Sequence, residues 1–279
     1  MKQFIEDSKK TITFLGKITR EGKAEPHATG FFIRIGRIIH LVTAKHVVID
    51  KETQQIDDEL VTFFNLREGG VTSLLLKDIR ETDKTNWIFH AASEVDIAII
   101  PFPVGKGKYD VKVIPDDTFL PIESLCELYD VFFLSFQPGT KFETRVAPII
   151  RSGTISRLND DKTFYIDGAA FPGNSGSPVF LKPSPIRFDE KGISLGGDTL
   201  GGKFVGIIGE YIPYEEVAVS IQTGRPRIVF QENTGLSRVW SVNYIRQIIE
   251  SEQFKSQIDG LEAMLSKQEA SATGMEKTQ

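Results

Sequence analysis

The residues best suited to chemistry form the segment from Gly173 to Pro178, which reads Gly-Asn-Ser-Gly-Ser-Pro. A serine hydroxyl in such a tight turn can act as a nucleophile if a base lies nearby. The glycine at 173 lets the N–H groups of Gly173 and Ser175 point the same way, where they can bind an oxygen that becomes negative. Gly176 has no Cβ, which predicts a close approach of substrate. Gly, Asn and Ser also favour ordinary turns, so Ser175 alone remains open to a structural interpretation.

A candidate base and a candidate acid precede this serine. His46 ends the sequence Leu-Val-Thr-Ala-Lys-His, and Asp96 opens the β-rich run Asp-Ile-Ala-Ile-Ile. A histidine can take the serine proton, and a carboxylate can fix the tautomer of that histidine and stabilise its cation. A lone histidine after a strand is more often a core residue, so His46 alone remains open to a structural interpretation. Glu94, two residues before Asp96, is the alternative acid. The remaining histidines lack such a context and are predicted to be structural: His27, His40 and His90.

The chain order His46, Asp96, Ser175 resembles that of bacterial trypsin-like serine peptidases of the chymotrypsin fold, and the pattern is nearest to the protease domain of HtrA-like proteins. This resemblance implies a serine endopeptidase that works through an acyl-enzyme intermediate. His46 would be the base, Asp96 its orienting acid and Ser175 the nucleophile, with the N–H groups of Gly173 and Ser175 as the oxyanion hole. The matching segments are Thr29–Phe32, Thr43–His46, Val95–Ala98, Gly173–Pro178, Val205–Ile207 and Thr234–Ile245.

The same resemblance implies a set of substrate-binding residues. Ile208, Gly209 and Glu210 align with the edge on which the family pairs its substrate as an antiparallel strand. Ala169 aligns with the base of the primary specificity pocket. Because alanine carries no charge, this alignment predicts cleavage after small or medium apolar side chains rather than after Lys or Arg. Asp167 is the alternative pocket residue if the loop is shifted.

The chain also departs from the family pattern. Ser177 stands where many members have a second glycine, no Ile-Val-Gly-Gly-like start is present, and no PDZ-type domain follows the closing helix. One hypothesis is therefore a peptidase that is latent until an activating protein partner binds. The partner would bind either the terminal helix or the two inserts Lys182–Lys203 and Pro213–Asn233, which are predicted to be surface loops. The alternative is a catalytically silent trypsin-like fold that serves as a protein-binding module.

Composition narrows the class of protein. The net charge is −5 and the pI about 5.5, which argues against nucleic acid or an anionic membrane as the partner. The apolar runs are shorter than the roughly 18 residues that span a bilayer. The N-terminus does not resemble a signal peptide, and Cys126 is the only cysteine, so no internal disulfide can form. These features predict a cytoplasmic protein, and the resemblance implies a bacterial one whose partner is its protein or peptide substrate. No metal-ligand spacing or phosphate-binding loop is present, so no metal and no cofactor is predicted.

Short β-rich segments separated by turn residues predict an all-β protein. Together with the motifs, they predict two six-stranded antiparallel β-barrels of the chymotrypsin fold: residues 1–115 carrying His46 and Asp96, and residues 116–240 carrying Ser175. Residues 241–279 are predicted to be a C-terminal helix and a polar tail, disordered from Ser266 onward. The predicted strands are Thr11–Ile18, Ala28–Ile35, Ile38–Thr43, Val61–Asn65, Val71–Leu76, Trp87–Ala91, Ile97–Pro101, Leu128–Phe136, Ala147–Ile155, Thr163–Asp167, Pro178–Leu181, Phe204–Ile208 and Ala218–Ile221.

Overall fold

The structure is a computed structural model that describes residues 2–19, 21–102, 107–140, 145–184, 186–189, 192–195 and 200–276. Its first half contains these elements: α1 (Lys2–Lys9), β1 (Ile12–Ile18), β2 (Ala24–Ile35), β3 (Ile38–Thr43), α2 (Lys45–Val48), β4 (Leu60–Asn65), β5 (Val71–Leu75), α3 (Leu76–Asp83), β6 (Ile88–Phe89), β7 (Ala98–Pro101) and β8 (Ile114–Pro115).

The first half forms one sheet in the order β5-β4-β1-β2-β3-β7-β6, with β8 pairing in parallel with β2. The predicted β2–β3 hairpin is present, and its turn uses Gly36 at a φ of +57°, which glycine adopts without strain. Each strand predicted in this half is found. The sheet has eight strands rather than six, however, and the described residues show no pairing between its edge strands β5 and β6. A strand of two residues, such as β8, is too short for alternation to reveal it.

The second half forms the predicted closed, six-stranded antiparallel barrel, in the order β10-β11-β16-β15-β12-β9. The prediction of an all-β, chymotrypsin-like fold with a C-terminal helix is therefore confirmed. The elements of this half are β9 (Asp130–Ser135), β10 (Ile149–Leu158), β11 (Thr163–Asp167), β12 (Pro178–Leu181), β13 (Ile186–Asp189), β14 (Gly192–Leu195), β15 (Phe204–Val219), β16 (Pro226–Ser241), α4 (Val242–Glu250) and α5 (Glu252–Glu276).

The prediction of two long surface loops is wrong. The insert Lys182–Lys203 contains the small β13–β14 hairpin. In the insert Pro213–Asn233, strands β15 and β16 stay paired beyond the barrel and form a two-stranded ribbon. This ribbon has exposed side chains on both faces, so its sequence lacks the apolar and polar alternation of a half-buried strand. The strand predicted over Ala218–Ile221 ends at Val219, where the chain turns back.

The helices were also only partly predicted. α4 and α5 confirm the C-terminal helix, but α5 continues to Glu276, past the predicted start of disorder at Ser266. Its last part is rich in Ala, Glu, Gln and Lys, which favour helices even without an apolar face. The eight-residue helices α1 and α3 were not predicted, because they span too few turns to show a helical period. None of the described helices is long and apolar enough to cross a membrane.

A shared apolar core joins the two sheets and the C-terminal helices. Phe31 of β2 packs against Phe204 of β15, with ring centroids 5.3 Å apart. Ile245 and Ile248 of α4 are buried in the same cluster. Phe254 of α5 stacks at 5.0 Å on the ring of His40 in β3. Because Phe254 belongs to this core, the start of α5 is part of the fold rather than an appendage.

His40 is expected to make the stability of the protein pH-dependent. Its side chain is fully buried, and burial lowers its pKa from 6.5 to about 4. As the pH falls below 6.5, the unfolded chain binds a proton that the folded chain accepts only near pH 4, so the free energy of unfolding decreases across this interval, by about 3 kcal/mol in total. Urea unfolding between about pH 7 and pH 4 checks this. His40→Leu should lose this component of the slope, and an unchanged slope in that variant would contradict the assignment.

Candidate active site

The segment Phe171–Asn174 forms a type II turn next to the candidate nucleophile. The Asn174 N–H donates to the Phe171 carbonyl at 2.9 Å, Pro172 occupies the second position, and Gly173 the third with a φ of +94°. Type I and type II turns differ by a flip of the central peptide, which here carries the Gly173 N–H. The positive φ therefore decides which way that N–H points. Within the described part of the chain, the N–H groups of Gly173 and Ser175 donate to no protein acceptor.

Hydrogen bonds to two distant segments, around Thr29 and Phe136, hold this turn. The Asn174 side chain donates from Nδ2 to the Phe136 carbonyl at 2.6 Å and accepts at Oδ1 from the Phe171 N–H at 2.9 Å. The Thr29 hydroxyl donates to the Gly173 carbonyl at 2.7 Å and accepts from the Phe136 N–H at 2.8 Å. The Thr29 N–H also donates to the Ser175 carbonyl at 3.2 Å. Strand β2 thus supports the turn on both sides of Asn174, and the hydrogen bonds are made by uncharged groups.

Gly176 has a role different from the predicted one. A Cβ on Gly176 would lie 2.2 Å from the Thr29 carbonyl oxygen and 2.5 Å from Thr43 Oγ1, and its φ is +83°. The missing side chain therefore makes room for strands β2 and β3 of the first sheet, rather than for substrate. This glycine allows the loop that carries Ser175 to press against the end of β3.

Gly176→Ala is expected to destabilise the protein by roughly 3 kcal/mol or more, because the new Cβ clashes with backbone atoms and the φ disfavours alanine. Gly224→Ala is the matched control. Its φ is +62°, but nothing lies within 4 Å of an added Cβ, so it should cost only about 1 kcal/mol. Denaturant unfolding of both variants measures the difference. Equal losses would mean that close packing at Gly176 contributes nothing beyond the backbone conformation.

His46 and Asp96 are brought together by the pairing of β3 with β7. Thr43 lies opposite Ala98 in this antiparallel pair, so the residues that follow β3 and those that precede β7 lie at the same end. His46 Nδ1 is 2.6 Å from Asp96 Oδ2, and the His46 backbone N–H donates to Asp96 Oδ1 at 2.8 Å. One carboxylate thus contacts both the ring and the backbone of the histidine. Glu94, the alternative acid, is exposed and makes no hydrogen bond or ion pair with His46 among the described residues.

A single cleft of about 250 Å³ is lined by His46, Asp96 and Ser175. No hydrogen bond joins the Ser175 hydroxyl to the His46 ring in the described residues, and such contacts often tighten only when substrate binds. Ile208, Gly209 and Glu210 line the cleft, as do four residues not named from the sequence: Ala170, Phe171, Pro172 and Tyr211. Ala169 is half-buried and does not line the cleft, and Asp167 lies exposed on β11.

Hydrogen bonds attach residues 168–170, which precede the turn, to β16. The Ser237 hydroxyl donates to the Gly168 carbonyl at 2.6 Å and accepts from the Ala170 N–H at 3.0 Å. Asn233 Nδ2 donates to the Ala170 carbonyl at 2.6 Å. Sequence reasoning did not identify Ser237 or Asn233 as contributors to the site. Ser237 lies inside the matching run Thr234–Ile245, which was the available signal for it.

Of the histidines predicted to be structural, His40 and His90 contact other parts of the fold. His40 is described above. His90 lies 2.7 Å from Gln247 Oε1 through Nε2, and its Nδ1 accepts from the Ala92 N–H at 3.0 Å. His27 is exposed on β2, and partial loss of hydration lowers its pKa. No group of His, Cys, Asp and Glu side chains within the described residues could hold a metal ion.

Comparison with known proteins gives one family. The sequence model of the family described as "Trypsin-like peptidase domain" matches residues 28–183, which include His46, Asp96 and Ser175. Among solved structures, the chain is similar to the serine endoprotease from Yersinia pestis, with a TM-score of 0.49 and 12% sequence identity. That similarity covers 91% of this chain, which spans 66% of the length of the Yersinia pestis chain. No curated protein matches the sequence.

Proposed function

The chain belongs to the trypsin-like peptidase domain family, and from this premise we propose that it is a serine endopeptidase with Ser175 as its nucleophile. The observation that carries the proposal is the convergence of three side chains on one cleft: those of Ser175, His46 and Asp96. The cleft lies beside a turn whose Gly173 N–H has no acceptor among the described residues.

In this mechanism the Ser175 Oγ attacks the scissile carbonyl while His46 Nε2 accepts its proton. The resulting tetrahedral intermediate collapses, His46 donates the proton to the leaving amine, and Ser175 keeps the acyl group. Water then attacks the acyl-enzyme with His46 again as base, which releases the acid and restores the serine. The 2.6 Å contact of Asp96 with Nδ1 leaves Nε2 as the nitrogen that exchanges protons, and the carboxylate stabilises the imidazolium.

The oxyanion would be bound by the N–H groups of Gly173 and Ser175. Removing one donor from such a site typically costs about 3–4 kcal/mol of transition-state stabilisation. The bonds of Asn174 and Thr29 support this role, because they hold the turn in the type II conformation before substrate arrives. Donors that are already oriented need no reorganisation during the reaction.

The cleft supports a preference for small or medium apolar residues before the scissile bond. Beside the candidate catalytic groups, its lining includes the apolar residues Ala170, Pro172 and Ile208. Apart from Asp96, Glu210 is the one charged residue that lines it among the described residues, and Arg238 lies 3.8 Å from Glu210. The backbone of Ile208 is bonded to Gly176 and Ser177, so substrate would pair with the β15 edge beyond it, towards Glu210.

The experiment that tests the function is digestion of denatured casein by the purified full chain, with the cut sites mapped by mass spectrometry. We expect cleavage after residues such as Ala and Val. A profile dominated by Lys or Arg would contradict the preference and would point to Glu210 as the specificity residue. No cleavage by the full chain, together with no reaction of Ser175 with a fluorophosphonate, would favour the alternative of a protein-binding module.

The hypothesis of latency concerns the same site. Hydrogen bonds between uncharged groups already hold the Phe171–Asn174 turn in the type II conformation. This favours activity without a newly cut N-terminus. An activating partner stays a prediction, as does a cytoplasmic location. The rate at which the full chain alone hydrolyses casein distinguishes a latent peptidase from one that is already active. A rate typical of active trypsin-like enzymes would show that the latency hypothesis is wrong.

A further inference from the structure

Arg151 is a cation beside the candidate active site that no carboxylate neutralises within the described residues. It lies on β10 opposite Phe133 of β9, and its side chain is partly buried. Its Nη2 donates to Gln137 Oε1 at 2.5 Å, whereas Nε is buried and has no hydrogen-bond partner in the described chain. A partly buried guanidinium is normally paired, because burial without a partner costs free energy. Arg151 is therefore a candidate binding group for an anion from outside the chain.

Stacking on Phe171 holds the Arg151 guanidinium against the cleft. The central carbon of the guanidinium lies 4.8 Å from the centre of the Phe171 ring, and Phe171 lines the cleft. Phe171 is 39% exposed and begins the type II turn that carries the Gly173 N–H. The stacking and the bond to Gln137 orient the guanidinium in advance, so it loses less freedom when it binds an anion.

The strand order of the barrel decides which part of a substrate reaches Arg151. Strand β12 begins at Pro178, shortly after Ser175, and lies between β15 and β9. Substrate residues before the scissile bond would pair with the β15 edge, so the residues after that bond extend to the other side of Ser175, towards the end of β9. Gln137 and Arg151 lie on this side, because Gln137 follows β9 and Arg151 belongs to the strand that pairs with β9.

The charges of the cleft differ between these two sides. On the β15 side, Glu210 has a cation nearby, since Arg238 Nη1 lies 3.8 Å from its Oε1. On the β9 side, Arg151 has only the neutral Gln137 as a hydrogen-bond partner among the described residues. The side that would receive the residues after the scissile bond therefore carries the cation without a described counter-charge.

We infer that Arg151 binds a substrate carboxylate on the C-terminal side of the scissile bond and so selects acidic residues there. This inference rests on the proposed peptidase function and adds to it a preference for the residues after the bond. The carboxylate belongs either to an Asp or Glu side chain or to the end of the substrate chain, since both offer oxygens that accept hydrogen bonds from a guanidinium.

The test compares peptides that share Ala before the scissile bond and carry Glu or Gln at the first or second position after it, all with amidated ends. Wild-type protein should hydrolyse the better Glu peptide with a kcat/KM about tenfold above that of its Gln counterpart. Arg151→Gln should bring this ratio close to one, and Arg151→Glu should favour a Lys peptide over the Glu peptide. A Gln peptide with a free C-terminal carboxylate distinguishes the chain end from the side chain as the source.

Arg157→Gln is the matched control. Arg157 is exposed on the same strand, about 20 Å further along β10 at roughly 3.3 Å per residue. The variant removes the same charge, so it should keep the wild-type ratio between the Glu and Gln peptides. A ratio that falls equally in Arg157→Gln and Arg151→Gln would mean that net charge, rather than contact with Arg151, sets the preference. The unfolding midpoint checks that each variant is folded.

A binding measurement separates this inference from the proposed function. By fluorescence anisotropy, Ser175→Ala should bind the labelled Glu peptide about tenfold more tightly than the Gln peptide, and the addition of Arg151→Gln should remove the difference. A chain that cleaves neither peptide but shows this difference would contradict the peptidase and support the inference. Equal kcat/KM for both peptides in the wild-type protein, or a preference that persists in Arg151→Gln, would overturn the inference and leave the proposed function standing.

Discussion

Ser175→Ala is expected to abolish labelling by a fluorophosphonate and to lower peptide hydrolysis by about 10⁴-fold or more. Removal of the nucleophile from a serine, histidine and aspartate site leaves only binding and oxyanion stabilisation to accelerate the reaction. The measurement is mass spectrometry of the intact labelled chain and of its peptides. Wild-type protein should gain one label, on the peptide that contains Ser175.

Ser177→Ala is the matched control for this experiment. Ser177 lies two residues away, is buried, and its hydroxyl has no hydrogen-bond partner in the described chain. Its removal should therefore leave labelling and hydrolysis near wild-type levels. Undiminished labelling of Ser175→Ala, or a label found on Ser177, would show that the nucleophile is assigned wrongly.

Asp96→Asn is expected to lower peptide hydrolysis by about 10⁴-fold while the protein stays folded. Asn can still accept the His46 backbone N–H. Its uncharged amide cannot stabilise the imidazolium, and an N–H donated to Nδ1 would favour the wrong tautomer. The hydrolysis rate of a peptide cut by wild-type enzyme measures the effect, with the unfolding midpoint as the test of folding.

Glu94→Gln is the control for the choice of acid. Glu94 is exposed and does not contact His46 among the described residues, so this variant should keep wild-type activity. His46→Ala should lose at least as much activity as Asp96→Asn, because it removes the base itself. Full activity of Asp96→Asn together with an inactive Glu94→Gln would reverse the assignment of the acid.

The strands of the first sheet and of the barrel were largely predictable, because a half-buried strand shows alternating apolar and polar residues within a short segment. The ribbon was not. Its exposure on both faces removes the alternation, and Pro213 and Gly224 at its ends imitate the ends of a loop. The pairing of Val217 with Val229, which makes it a ribbon, is a contact between two segments rather than a property of either one.

The predicted substrate-binding residues divide in the same way. Ile208, Gly209 and Glu210 line the cleft, and they follow directly from a strand whose position was predicted. Ala169 was assigned by counting back from Ser175. The turn at Phe171–Asn174 and the bonds from Ser237 and Asn233 decide which residues of that segment face the cleft, and they select Ala170 instead.

The chemical types, the chain order and the strand context of His46, Asp96 and Ser175 could be read from the chain alone, because these are local properties of short motifs. How the turn beside the candidate nucleophile is held depends on contacts between distant segments. Thr29 bonds to Gly173 and Phe136 across separations of 144 and 107 residues, and the backbone of β2 occupies the space that glycine leaves at 176. Contacts over such separations depend on how the two sheets pack against each other, and the pattern of neighbouring residues along the chain carries no record of that packing.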